Sequence, residues 1–366
     1  MRKELFSPLS EIRVALVGVG NSASALTQGV QYYRNAAEGT DVPGLMHVKF
    51  GPYHVNNIKF VAAFEVNKDK IGKDLSQAIF TAPNCCAKFA KVPNLGVKVT
   101  GGPVLDGAAE HMRKIFNVYE HEVEPEHVTD VLKKTKADIL VNYLPVGSHK
   151  AARFYAQSAL DAGCAFINCM PEFIASDATW SKKFEDKELP IAGDDIKSQL
   201  GATILHRNIA RLCVDRGVLI DETYQLNLGG DTDFLNMTVE ERLKTKRISK
   251  TEAVTSMVPY DLPTRIGPSD YVPFLENKKI CYLWLKGRKF GDRPLTISVK
   301  LEVEDSPNSA GVVIDLIRAV KIALDRKIGG ALLSISSYAF KHPPIQIPDS
   351  MAKQAVEEYI QGKRKR

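Results

Sequence analysis

Over the first 220 residues, short apolar runs alternate with longer amphipathic stretches. Arg13-Val-Ala-Leu-Val-Gly-Val-Gly20 is a β-branched run ending in glycines. It passes into Asn21-Ser-Ala-Ser-Ala-Leu-Thr-Gln-Gly29, the pattern of a strand, a tight turn and a helix start. Further buried-type strands are predicted over 58–66, 137–144, 165–169 and 189–193, with helices over 148–162 and 198–216. Such alternation argues for a doubly wound parallel sheet. After Val218 the period becomes two. Residues 222–228 and 295–304 alternate polar with apolar, 280–286 is a third strand expected to end in a turn at Gly287, and Gly291-Asp-Arg-Pro294 separates two strands as in a hairpin. The region 220–305 therefore reads as a mostly antiparallel sheet with one wettable face. A long helix is predicted from Ser309, its expected cap, to Arg326, with Val312, Val313, Leu316, Ala319, Val320 and Ala323 at helical spacing. It is expected to return to the first domain.

The first turn carries candidate chemistry. Gly18-Val-Gly20-Asn21-Ser22-Ala23 fits G-x-G-x-x-A, in which one glycine permits the turn, the next admits a pyrophosphate, and a small third residue lets helix and strand pack closely. Glu65 ends the next strand, where an acid can hold ribose hydroxyls and favour NAD. The gap of about 45 residues is twice the usual spacing, so 39–57 must loop out. The competing reading is a glycine turn in a nucleotide-free fold, with Glu65 merely solvated. Gly193-Asp-Asp195-Ile-Lys197-Ser198 falls at a strand-to-helix junction, where Ser198 would cap the helix. Lys197 there is equally a substrate contact or an exposed charge. Asp231 and Asp233, in a turn-rich stretch, could orient hydroxyls, bind a divalent ion or simply face solvent. Ser249 and Glu252 read as a capping box, which would leave Lys250 solvated.

Composition narrows the classes. The chain has 366 residues, 44% hydrophobic and 25% charged, as in an ordinary globular protein. Its +6 net charge owes four positives to residues 363–366, an expected frayed tail. The remaining charge of about +2 is too small to argue for a nucleic-acid partner, and a small anionic substrate remains compatible. The six cysteines form no C-x-x-C pair, and the eight histidines show no zinc spacing. Residues 1–13 have no apolar leader core and no run approaches a membrane span, so a reduced, cytoplasmic setting without a membrane partner is expected.

Taken together, VALVGVGNSAS, VPGLMHVKFGPYHV, LVNYLPVGS, GDDIKSQLGAT, QLNLGGDTDFLNM, KRISKTEAVTS, DSPNSAGVVIDLIRAVKIA and YAFKHPP resemble the myo-inositol-1-phosphate synthase family in its shorter bacterial form, from Val14 to about Pro344. The resemblance implies conversion of D-glucose 6-phosphate to an inositol phosphate with retained NAD, by oxidation at C5, enolisation, aldol closure onto C1 and reduction. It implies catalytic roles for Lys197, Lys250, Lys341 and, on a weaker match, Lys279, together with Asp195. It places Asp233, Asp305 and Ser306 by the cofactor, and Ser198, Asn236 and Lys250 by the substrate. Eukaryotic-type members carry a second lysine where this chain has Gly201, so Lys279 or a divalent cation would replace that charge. The fold implied is α/β: an NAD-binding Rossmann domain (1–200 with 310–366) and a central α+β catalytic and oligomerisation domain (201–309) of a homotetramer. The alternative is a conventional NAD-dependent dehydrogenase on the same architecture.

Overall fold

The computed structural model describes residues 11–119 and 123–366; the stretch read for a leader lies outside them up to residue 10. In chain order the elements are β1 (Ile12–Val17), α1 (Asn21–Tyr33), β2 (Lys49–Phe50), β3 (Tyr53–His54), β4 (Ile58–Glu65), α2 (Leu75–Ala78), β5 (Val99–Gly101), α3 (Pro125–Lys134), β6 (Ile139–Asn142), α4 (His149–Ala162), β7 (Ala165–Asn168), α5 (Ala178–Asp186) and β8 (Pro190–Ala192). There follow α6 (Ala202–Asp215), β9 (Leu219–Gly229), α7 (Thr232–Asn236), α8 (Glu240–Thr255), β10 (Thr264–Tyr271), β11 (Lys278–Lys289), β12 (Arg293–Glu304), α9 (Asp305–Asp325), β13 (Gly330–Ala331), α10 (Leu333–Ala339) and α11 (Asp349–Ile360).

A seven-stranded parallel sheet in the order β13-β8-β7-β6-β1-β4-β5 forms the first layer system. Its central strands β6 and β7 are buried throughout, apolar up to the closing Asn142 and Asn168, because both faces are covered: α1 and α9 on one side, α3, α4 and α5 on the other. Strand order reverses between β1 and β6, and ligand crevices open at such switch points. The C-terminal segment does return here, since β13 extends the sheet beside β8. The 39–57 insertion carries the β2–β3 hairpin and is tied to α9. A Cβ on Gly311 would stand 1.7 Å from the Gly44 carbonyl oxygen, and Arg318 donates to the Val48 carbonyl at 2.8 Å.

The second sheet runs β10-β9-β11-β12, antiparallel except for β10 on β9. One face packs on α6 and α8; the other leaves Tyr224, Leu226 and Tyr282 exposed.

Several local signals are overruled. Strand β11 continues through Gly287 with a register shift, and the turn falls at 290–292, where Gly291 has φ +67°. Helix α6 starts at Ala202 behind Gly201, because residues 197 and 199 give their N–H groups to Ala339 and Asn308 instead. Ser198 therefore caps nothing. Ser249 lies within α8, which has no breaker after Glu240. Ser309 lies in the second turn of α9, because β12 feeds directly into the helix at Asp305. The basic tail is docked rather than frayed: Ser334 Oγ donates to the Arg366 carbonyl at 2.6 Å, and Arg366 pairs with Glu185.

Candidate active site

The glycine loop lies at the end of β1. Gly18 has φ +84°, and a Cβ there would stand 2.7 Å from the Tyr143 carbonyl oxygen. Gly20 has no atom within 4 Å of the corresponding position, so the backbone faces open space. The first intrahelical bond of α1 is Ser24 N to the Gly20 carbonyl at 2.9 Å. The N–H groups of Asn21, Ser22 and Ala23 thus have no acceptor within the helix, which creates an anion-attracting end. Ala23 is fully buried against the sheet. The Asn21 carboxamide accepts from Cys85 N at 2.9 Å and so fastens the 85 loop. Glu65 accepts from Val19 N at 2.9 Å with one carboxylate oxygen, and from Val66 N and Asn67 N at 2.7 and 3.1 Å with the other. Lys70, which the sequence reading missed, donates to the Val19 carbonyl at 2.7 Å and is 3% exposed. This cradle fits a dinucleotide: a glycine with room above it, unpaired helix amides and a carboxylate at the tip of β4.

The same crevice continues to a group of lysines. Lys246, Lys250, Lys279 and Lys341 line it with Asp233, Asp305, Ser306, Ser22 and Ser198. The four lysines come from two elements and one loop. Lys246 and Lys250 are one turn apart on α8, Lys279 stands on β11, and Lys341 follows α10. Lys341 is brought in by backbone pairing: Lys341 N donates to the Asp195 carbonyl at 2.8 Å, and Lys197 N to that of Ala339 at 2.7 Å. Asp195 is the hub. It is fully buried, and its Oδ1 accepts from Lys246 Nζ at 2.9 Å and Lys341 Nζ at 2.8 Å, while Oδ2 accepts from the Ser249 hydroxyl. Lys279 donates to both oxygens of Asp305 at 3.0 and 3.1 Å.

The charges follow from this geometry. Burial would raise the Asp195 carboxyl, but Lys246, Lys341 and Ser249 hold it well below the usual carboxylate range. Burial would lower Lys246, yet Asp195, Asp233 and Asp305 together hold it above an ordinary lysine. Burial brings Lys341 down to about 8, with Asp195 opposing and Lys246 adding to the fall. Lys250 is pushed well below an ordinary lysine, first by burial and then by Lys279, Lys246 and Lys341.

Two expected site residues stand apart. Lys197 is turned away from the crevice, where its Nζ donates to the Ser337 carbonyl at 2.8 Å and to Asp349 at 3.0 Å; Arg207 shares that carboxylate. Burial and the Arg207 charge bring it to about 7. Asn236 is buried and donates to the Val146 carbonyl at 2.8 Å, without lining the crevice. Lys246 was legible only as Lys246-x-x-x-Lys250, a spacing that shares one helix face. In a helix as polar as α8, that face reads as solvated. Among the described residues no group of three or more His, Cys, Asp or Glu is placed to hold a metal ion.

Fold and crevice together define a Rossmann-type protein in which the crevice at the glycine loop ends in a group of lysines. The family model described as myo-inositol-1-phosphate synthase matches residues 201–306. The inositol-3-phosphate synthase of Mycolicibacterium smegmatis is 56% identical over 359 residues, covering 96% of this chain and 98% of that protein. That of Corynebacterium glutamicum is 54% identical, with the same shares covered. A myo-inositol-1-phosphate synthase-related protein of Thermotoga maritima has the same fold, at a TM-score of 0.80, 24% identity and coverage of 96% of this chain and 98% of that one. This chain belongs to the myo-inositol-1-phosphate synthase family.

Proposed function

We propose that this chain is an inositol-3-phosphate synthase. It converts D-glucose 6-phosphate to 1D-myo-inositol 3-phosphate with NAD, an intramolecular isomerisation without net redox and the first step of inositol biosynthesis. The observation that carries this reading is likeness at 54–56% identity over nearly the full length of proteins bearing that name. The crevice supports it, because a dinucleotide cradle and a lysine cluster share one cavity. A conventional dehydrogenase draws no support from these relatives.

Gly18, Gly20 and the first amides of α1 would hold the pyrophosphate, Glu65 the ribose, and Asp233, Asp305 and Ser306 the nicotinamide end. When bound, NAD supplies oxidation at C5 and the matching reduction after ring closure. The protein's own groups do the rest. A ketone at C5 makes the C6 proton acidic, and Lys250, whose proton affinity burial and three neighbouring cations lower, suits its removal. The ammonium groups of Lys341 and Lys279 face the negative charge that develops on the C5 and then the C1 oxygen. In a crevice with little water, fixed cations stabilise such charge strongly. Ser198 at the mouth contributes to binding the sugar phosphate. Lys246 and Lys279 supply the positive charge that Gly201 leaves missing. Residues 1–200 with 310–366 hold the cofactor, while 201–309 supply most of the lysines and the subunit contacts of a cytoplasmic homotetramer. Lys197 and Asn236 act from behind the crevice wall.

The test is incubation with NAD and carbon-labelled glucose 6-phosphate. Labelled inositol phosphate should form while NADH does not accumulate. No product across magnesium, manganese, zinc, potassium and ammonium, or NADH rising in step with substrate loss, overturns the reading.

A further inference from the structure

Four lysines meet in the crevice, and three of them have a carboxylate. Lys279 has Asp305, while Lys246 and Lys341 share Oδ1 of Asp195. Lys250 is 3% exposed and has no hydrogen-bond or ion-pair partner among the described residues. Lys246 stands one helical turn before it on the same face of α8. Resting on the cyclisation reading above, we propose that Lys246 is a positioning residue for this reaction: paired to Asp195, it fixes the carboxylate that holds Lys341 and supplies the constant positive charge against which Lys250 works.

The argument is one of charge sharing. A carboxylate oxygen between two ammonium groups cannot neutralise both fully. Asp195 is fastened from behind by Ser249 and by its own amide, which donates to the Met170 carbonyl at 2.9 Å, so it does not swing towards either lysine. With Lys246 on Oδ1, Lys341 is anchored but not locked as an ammonium. A second contact, from Lys341 Nζ to the Ile196 carbonyl at 2.6 Å, keeps it in place. Lys250 faces Lys279 from β11, Lys246 from its own helix, Lys341 from the loop after α10, the single negative charge of Asp195, and the Cys281 thiol. Lys341 faces Asp195, Asp305, Lys246 and Lys279, with Lys197 and the Cys169 thiol behind. Lys246 differs from both, since Asp195, Asp233 and Asp305 all face it and keep it charged. It is the cation that does not titrate in the working range, and its removal leaves Asp195 to Lys341 alone. Lys250 at the same time loses one of the three charges that lower its proton affinity. Both lysines then hold their protons to higher pH.

The test is Lys246→Met in the full-length enzyme, read by competitive labelling with trace acetic anhydride across the pH scale and mass spectrometry of the individual lysines. The half-points of Lys250 and Lys341 should rise by about one pH unit, which for Lys341, at about 8, corresponds to roughly tenfold less free amine at neutral pH. The pH profile of turnover should move upward as a whole by about the same interval, and KM for glucose 6-phosphate should change little. Lys246→Arg keeps the cation and should leave both half-points at their wild-type positions. Lys246→Gln, which retains a hydrogen bond to Asp195 without the charge, should behave as the methionine variant and serves if that variant does not fold. Unmoved half-points in a folded, uncharged variant overturn the proposal, as does an arginine variant that shifts them equally. If the wild-type enzyme makes no inositol phosphate, the functional reading fails, while the labelling still decides the role of Lys246.

Discussion

A buried lysine without a counter-ion is a liability that folding alone does not explain. Lys250 binds a proton in the unfolded chain up to the ordinary lysine range, but its folded-state affinity is well below that, first because of burial and then because of three neighbouring ammonium groups. The linkage sign is therefore fixed. Between the lowered folded value and the ordinary lysine range the unfolded state holds the extra proton, so at neutral pH the residue opposes folding, and the penalty fades as pH rises towards the unfolded value. Lys250→Met should raise the thermal midpoint at pH 7 by a few degrees, at about 2 °C per kcal/mol for a large domain. That gain should shrink towards pH 10 in a calorimetric series, and turnover should be lost at every pH. A variant less stable than wild type at pH 7 would show Lys250 to be a packing residue. Trading stability for a free amine is the expected signature of a reacting group.

At the level of elements, the residue that the sequence placed in the crevice turns out to fasten it from behind. Lys197 and Arg207 both pair with Asp349 at the start of α11, tying the loop after β8 and helix α6 to the C-terminal segment. That segment, through α10, carries Lys341. Removing one member of a buried charge group costs about 3–5 kcal/mol because the partners remain buried and unpaired. Asp349→Ala should cost about 3 kcal/mol in urea unfolding by that reasoning. Lys197, at about 7 in the intact protein, should drop further in the variant. A lowered lysine loses stability as pH falls, so the cost of the mutation should grow below about pH 7. An equal cost at pH 6 and pH 9 would rule out the charge explanation. Arg207 and Asp349 carried no sequence signal, since an arginine inside a helix and an aspartate after a proline are ordinary surface patterns.

Across the whole molecule, the second sheet has a face that no other described element covers. Tyr224 stacks on Trp284 with ring centroids 5.3 Å apart, and Leu226 and Tyr282 are 41% and 43% exposed beside them. A twofold interface uses the same patch on both subunits, so the proposed homotetramer is expected to bury this aromatic face. Tyr282→Glu combined with Leu226→Glu should reduce the mass seen by light scattering, with the circular dichroism of the fold retained. An unchanged mass would move the interface elsewhere. The face was legible as period-two alternation; its aromatic centre was not, because Tyr224 and Trp284 become neighbours only when β9 and β11 pair.

The amino-acid sequence by itself determined the parallel sheet, the glycine turn, the change of period after Val218 and the family. Each of these rests on patterns a few residues long or on stretches of chemically unusual residues. The tertiary structure alone decided which charges meet. Asp195 takes Lys246 from 51 positions away and Lys341 from 146, and both are delivered by backbone pairing and helix packing that no local pattern encodes. Tertiary contacts likewise turned Lys197 away from the crevice and moved the start of α6 away from its serine. Local propensity is worth about 1 kcal/mol at a cap. It yields wherever burial, strand pairing and charge pairing across the fold are worth more.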